Sequence, residues 1–406
     1  MDATVVAAGG GPAGIMLGLL LARAGIKVVV LEKHADFLRD FRGDTIHPST
    51  LELIEELGLT EQFEKIPHGK IHEFAMGEVR LGSMTELGIR YPYIAIAPQW
   101  DFLTMLAEEA QRYPTFTLLM NCEVTGPILD GDRVAGVRYR DEQGEEHEVR
   151  AGLTVATDGR YSRLRAAAGL QVHETGSAFD TLWFRLPKES GMPVELYFRV
   201  TPGRWIVGFD RRTYLQIAYM IPKGGFEAVK RAGIEEIRRG TAETVPELAD
   251  RIRHLASMDD VHMLEVMVNR AKRWHRPGLL LLGDAAHAMS PMGGVGVKLA
   301  VDDAVAAANI LAAPLLQAQR DGSMLDDKHL AAVQSRREFP TMMTQKMQQA
   351  FYERLVEPAF RHEQPKSMPL ALRTIRHVPA VRRRILRTIA VGVRQEHIHT
   401  PSVPPG

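Results

Sequence analysis

Residues 3–34 alternate short and long apolar runs: ATVVAAG, then GGPAGIMLGLLLARAG, then IKVVVLEKH. A short run, a glycine turn, a longer run closed by Gly25 and a β-branched run at Val28–Val30 predict a strand–helix–strand unit. The crossover makes its two strands parallel. Helices are expected over Ser49–Leu57 and Trp100–Arg112, and short strands with Asp-Gly and Gln-Gly turns between Thr115 and Thr157. From about Gln171 the period changes. Val194, Leu196, Phe198 and Val200 alternate with Glu195, Tyr197 and Arg199, and Leu215, Ile217, Tyr219 and Ile221 with Tyr214, Gln216, Ala218 and Met220. Period two predicts an antiparallel sheet with one face covered. Helical sequence over Gly224–Leu255 and a strand in HMLEVMV follow, and then GLLLLGD, whose consecutive leucines belong inside a parallel sheet.

That return to a buried strand predicts an α/β fold whose Rossmann-like domain is discontinuous, formed by residues 1–170 and 271–325. An antiparallel-sheet domain over 171–270 interrupts it, with residues 70–100 as a candidate addition, and a helical extension covers 326–406. Lys plus Arg equals Asp plus Glu at 50 each, so no global field recruits nucleic acid. The single cysteine, Cys122, excludes an intramolecular disulfide and a cysteine-based zinc site, and fits a cytoplasmic location. Ala3–Ala22 carries no charge, but glycines break it and no basic segment precedes it, so neither a membrane span nor a signal peptide is expected. No acid occurs between Lys366 and Arg394, while Arg373, Arg376, Arg382, Arg383, Arg384, Arg387 and Arg394 fall on apolar-periodic sequence. This stretch reads as the solvated face of a terminal helix or as a peripheral contact with a membrane surface or partner helix.

Three glycine-rich signatures carry the chemistry. Gly9-x-Gly11-x-x-Gly14 follows a strand and opens a helix, with Glu32 ending the next strand. The first glycine permits the turn, the second lets backbone approach a pyrophosphate, the third packs helix on strand, and the acid accepts ribose hydroxyls. Asp158-Gly159 and Gly283-Asp284 end two further strands, where carboxylates face the ligand crevice of a parallel sheet. The third signature, PMGGVGVKLAVDDA over residues 291–304, runs from a glycine turn into a helix. It is not a Walker loop, because Val297 separates Gly296 from Lys298 and Leu299 follows.

In this order the signatures resemble those of the single-component flavin-dependent aromatic hydroxylases, the class A flavoprotein monooxygenases of the para-hydroxybenzoate hydroxylase type, over residues 3 to about 310. The resemblance implies FAD, with Gly9, Gly11, Ala13 and Gly14 on its ADP half, Glu32 on the ribose and Lys33 beside it. Arg42, in RDFRGDTIHPST, and Gln99, in APQWDF, correspond to residues near the flavin, and Val124 to one on the adenine side. Asp158 corresponds to a residue for FAD and nicotinamide handling, Asp284 to one on the ribityl chain, and Pro291–Val297, including Gly294 and Gly296, to the loop against the isoalloxazine ring. A helix start there supplies N–H donors and about half a positive charge toward the pyrimidine edge of reduced flavin.

The resemblance also implies a reaction. NADH or NADPH reduces the flavin, O2 adds to it, and a flavin hydroperoxide hydroxylates an aromatic or other electron-rich small molecule. A second glycine fingerprint for the nicotinamide is absent from the sequence, in keeping with a transiently bound reductant. Lys298 stands where the family usually has Asn. It is read either as stabilising anionic reduced flavin or as turning outward to Asp302. Pro291, Lys298 and His47 are the candidate catalytic residues, His47 as a group that could take a substrate proton or as a structural histidine. His68 and His72 share a helical spacing without a third ligand, so no metal is expected. A monomer or homodimer is expected. The alternatives are a flavin-dependent prenyl-chain reductase and a flavin-binding protein that shelters a ligand without turnover. A halogenase would need a Trp-x-Trp-x-Ile-Pro motif, and no two of Trp100, Trp183, Trp205 and Trp274 lie that close.

Overall fold

The computed structural model describes residues 2–38, 45–76, 79–188, 197–211, 214–360 and 379–406, so Arg42, Val194, Leu196, Arg373 and Arg376 lie outside the described residues. Strand β1 (Asp2–Ala8), helix α1 (Pro12–Arg23) and strand β2 (Val28–Leu31) form the expected unit, with β1 and β2 parallel in the register Val5 to Val28. Strand β3 (Phe116–Leu119) extends the sheet beyond β2, and β4 (Glu146–Ala156) lies on the other side of β1. Every residue of β2 is buried because both faces are covered. Ile15, Leu19 and Val30 join one apolar cluster, whereas Val6, Val29 and Trp274 join the cluster on the opposite face.

The chain then leaves for an antiparallel sheet. It contains β5 (Phe179–Pro187), β6 (Tyr197–Thr201), β7 (Arg204–Asp210), β8 (Tyr214–Pro222) and β9 (His262–Leu264), in the order β6-β7-β8-β5-β9. One face carries Leu182, Phe184, Leu215, Ile217 and Tyr219, packed on Ile237 and Leu248. The sequence reading of a single covered face needs correction, because Trp183, Trp205, Ala218 and Met220 on the alternate face are buried too. Polar residues are scarce there because that face walls a cavity.

The return strand β10 (Leu279–Leu281) pairs in parallel with β4. Two helices fall close to their sequence-based bounds: α2 is Pro48–Glu56, with Pro48 in its first turn, and α3 is Gln99–Gln111. The region that includes residues 70–100 supplies Gly69–Ile71 and Ile94–Ile96 to a small sheet with Thr45–Ile46. That sheet is separate from the β5–β9 sheet. Long helix α4 (Gly296–Asp321) runs beneath α1, and α5 (Asp327–Phe351) packs back along it. Among the described residues, Met292–Asp321 is the one segment apolar and long enough to cross a membrane, and most of it is buried inside the protein. Helix α6 (Pro379–Val391) buries Leu386, Ala390 and Val391 against Met84, Leu87, Ile94 and Ile96. Its Arg383, Arg384 and Arg387 are exposed, and Arg382 pairs with Glu86 at 2.6 Å.

Candidate active site

Strands β1, β4 and β10 all end at one edge of the parallel sheet, and the three glycine-bearing turns follow them there. Gly9 has φ +115°, and a Cβ on it would lie 2.3 Å from the Thr157 carbonyl oxygen. A Cβ on Gly14 would lie 1.9 Å from the Gly9 oxygen. These two glycines lock helix to strand. Gly11 and Gly296 differ, since a Cβ on either would meet nothing within 4 Å. Both stand at helix starts. Helices α1 and α4 begin without a side-chain cap and without an acid in the first turn. Their free N–H groups and positive dipole ends suit a pyrophosphate at α1 and an electron-rich carbonyl edge at α4. The residues present therefore fit a flavin dinucleotide.

The cavity before these turns has a volume of about 1540 Å³. Its wall includes Gly9, Gly11, Ala13, Glu32, Lys33, Gln99, Val124, Asp158, Asp284, Pro291, Gly294, Gly296, Val297 and Lys298. Gly14 and His47 do not line it. Glu32 is buried, and its carboxylate accepts from the backbone N–H of Gly10 at 2.9 Å and of His34 at 3.1 Å. It thereby joins the glycine turn to the end of β2. Burial pushes the Asp158 carboxyl up from its ordinary value, and its Oδ2 accepts the Leu164 N–H at 3.3 Å. Asp284 faces the Arg160 guanidinium at 3.5 Å, and Arg165 donates to the Ala285 carbonyl at 2.8 Å. Arg160 and Arg165 of DGRYSRLR thus brace the turn that carries Asp284.

The loop at residues 291–297 is pinned from behind. Thr45 Oγ1 donates to the Gly294 carbonyl at 2.6 Å, and Gln348 Nε2 donates to the carbonyls of Ser290 and Met292 at 3.0 and 2.7 Å. The sequence reading singled out neither residue. Thr45 lies inside a quoted segment, but Gln348 lies more than 50 positions after its partners and has no local signal.

His47 Nε2 donates to the Gly293 carbonyl at 3.1 Å, which requires the N–H tautomer there. Burial, then the positive charge of Lys298, lowers its pKa from 6.5 to about 4. A neutral, enclosed imidazole braces the loop. Since unfolded histidine takes up its proton near 6.5 and native His47 only near 4, stability is lost as pH falls across that window. The loss is expected to total about 3 kcal/mol. Urea unfolding of wild type and His47→Gln at pH 7 and pH 4.5 checks this: the acid loss should be smaller in the variant, and equal losses would contradict it.

Lys298 is 3% exposed, so the outward orientation needs correction: it does reach Asp302, at 2.6 Å, but inside the protein. The reason is a buried ionic network. Arg337, fully buried, meets Asp302 at 3.2 Å, Asp303 at 2.9 Å and Glu396 at 3.1 Å, while His287 lies 2.6 Å from Asp303. Burial would raise the Asp303 carboxyl, but His287 and Arg337 outweigh it and hold it below its ordinary value. His68 and His72 do not share a helix. Strand Gly69–Ile71 separates them, and they face the Ile66 and Pro92 carbonyls respectively.

The opposite wall of the cavity is the second face of the antiparallel sheet. Phe179, Trp183, Trp205, Phe209 and Met220 line it, with Phe179 and Trp205 edge to face at 5.4 Å. Helix α5 adds Met347 and Phe351.

The FAD binding domain family matches residues 2–346. The 6-methylpretetramide 4-monooxygenase of Streptomyces rimosus is 32% identical over 398 residues, covering 96% of this chain and 92% of its own. Para-nitrophenol 4-monooxygenase of a Pseudomonas strain is 26% identical over 315 residues, covering 74% and 75% of the two chains. Among solved structures, the OxyS anhydrotetracycline hydroxylase of Streptomyces rimosus has a TM-score of 0.75 at 23% identity, over 96% of this chain and 76% of that one, which shows a shared fold.

Proposed function

Because the chain belongs to the FAD-binding family of aromatic-compound monooxygenases, we propose that it hydroxylates a fused-ring phenol rather than a single-ring one. The cavity carries this reading. At about 1540 Å³ it takes in both the dinucleotide site and the space beyond it, and the wall of that further space is apolar and built from the four aromatic rings of Phe179, Trp183, Trp205 and Phe209. The relative named for 6-methylpretetramide, 32% identical over 96% of this chain, supports the same reading.

Gly11 and the start of α1 hold the pyrophosphate, Glu32 and Val124 the adenosine side, and Asp158 and Asp284 the ribityl side. Gln99 and the loop from Pro291 to Val297 flank the ring system. Bound FAD supplies the redox chemistry, hydride uptake from NAD(P)H and activation of O2, with one oxygen atom entering an aromatic C–H bond and the other leaving as water. Thr45, His47 and Gln348 fix the loop, so that the N–H groups at the start of α4 keep one geometry through the reaction. Phe179, Trp183, Trp205 and Phe209 stack the substrate and exclude water.

The test is a series of phenols with one to four fused rings, reading hydroxylated product and NAD(P)H consumed. Each added ring is expected to raise kcat/KM about tenfold through apolar burial of roughly 1–2 kcal/mol. Preference for a single ring would overturn the reading.

A further inference from the structure

The family match ends at residue 346, yet the cavity wall does not. Arg382, Ile385, Ile389, Gly392 and Val393 also line the cavity. Within helix α6, Arg382, Ile385 and Ile389 follow the helical repeat and form one stripe, next to the stripe of Leu386, Ala390 and Val391 that packs into the protein, with Leu386 reaching the cavity as well; Gly392 and Val393 follow just past the helix end. The exposed Arg383, Arg384 and Arg387 form the remaining face. This explains how an arginine-rich segment keeps an apolar period. One face packs into the protein, one lines the cavity and the third meets solvent.

The arm is fastened at both ends. Arg382 pairs with Glu86 at 2.6 Å at its start. At its end, Glu396 accepts from Arg336 at 2.9 Å and from Arg337 at 3.1 Å. Gly392, with φ +95°, lies against the Lys298 side chain so closely that a Cβ would sit 2.5 Å from its Nζ. Lys298 therefore joins the loop at residues 291–297 to the arm. Asn, with its shorter side chain, would not extend as far.

We infer that residues 382–393 form a substrate-contacting wall that helps set which ring systems the enzyme accepts, with Ile385, Ile389 and Val393 lining the same cavity as the aromatic sheet. The inference rests on the fused-ring reading above. A flat molecule enclosed between stacked aromatics on one side and branched aliphatic side chains on the other is selected by the width left between them. A larger residue at Ile389 narrows that width. A smaller one leaves the far rings without contact and lets in water.

The test uses full-length holoenzyme and the same phenols, with dissociation constants read from the perturbation of the flavin absorbance and KM and kcat measured separately. Ile389→Trp is expected to raise Kd and KM for three- and four-ring phenols at least about tenfold relative to one-ring phenols. Arg387→Ala, on the exposed face of the same helix, should leave that ratio within twofold. Should the tryptophan variant fail to fold, Ile389→Ala serves instead, and the product formed per NAD(P)H should fall most for the larger rings. A wild type that discriminates by ring number together with Ile389 variants that do not alter the ratio overturns the inference. A wild type that binds none of the phenols overturns the fused-ring reading, and the inference with it.

Discussion

Gly14→Ala is expected to yield protein that purifies with little or no flavin, and whose apoprotein binds added FAD about 100-fold more weakly than wild type. The added Cβ would meet the Gly9 carbonyl oxygen at 1.9 Å, well inside contact distance. The partner is backbone, so no side chain can rotate away. Gly9 cannot yield either, because at φ +115° it is itself seated against the Thr157 carbonyl. Helix α1 must therefore lift from β1, taking its free N–H groups away from the pyrophosphate position, at an overpacking cost of about 3 kcal/mol. Gly11→Ala provides the contrast. Its Cβ would meet no protein atom within 4 Å, so the fold should keep its stability while FAD binding weakens through lost room. Titration of both apoproteins with FAD, alongside urea unfolding, reads the two effects apart. Full flavin content in Gly14→Ala would show that the turn does not work in this way.

Arg337→Met is expected to destabilise the protein by about 3–5 kcal/mol, measured from denaturant midpoints of the holoprotein. Arg337 is the shared partner of Asp302, Asp303 and Glu396, which are all buried. Burial works against its charge, and the three carboxylates outweigh burial, holding the guanidinium above its ordinary value. Its removal leaves buried carboxylates with fewer compensating charges. Arg336→Ala should cost about 1 kcal/mol or less, since Arg336 is 42% exposed and Glu396 keeps Arg337. The site should register the loss as well, because Asp302 also holds Lys298 against the arm. Equal midpoints for Arg337→Met and wild type would contradict this account of the network.

The strand–helix–strand unit at the N-terminus was legible because its determinants are local: glycines at fixed offsets, an apolar helix and a β-branched strand within about 30 positions. Asp158 and Asp284 could be placed at strand ends for the same reason. The fold class could be read because buried parallel strands such as Leu279–Leu281 are continuously apolar. The direction of Lys298 could not, since Arg337 and Glu396, which define its surroundings, come from distant helical sequence without a motif. Gln348 was invisible on the same grounds. The second covered face of the antiparallel sheet escaped notice because Gln216 and Ala218 read as a solvent side, whereas Trp205 and Met220 beside them face a cavity. The wall made by α6 was obscured by its arginines, whose charges mark only the third face of that helix.

The most direct measurement is to run purified holoenzyme with NADH or NADPH, whichever it oxidises faster, and the four-ring phenol under 18O2 and to weigh the product. One labelled oxygen atom per product is expected, with the reduced nicotinamide consumed in step with product. A product whose new oxygen comes from water, or nicotinamide oxidation that yields only hydrogen peroxide with every phenol in the series, would contradict the proposed hydroxylation.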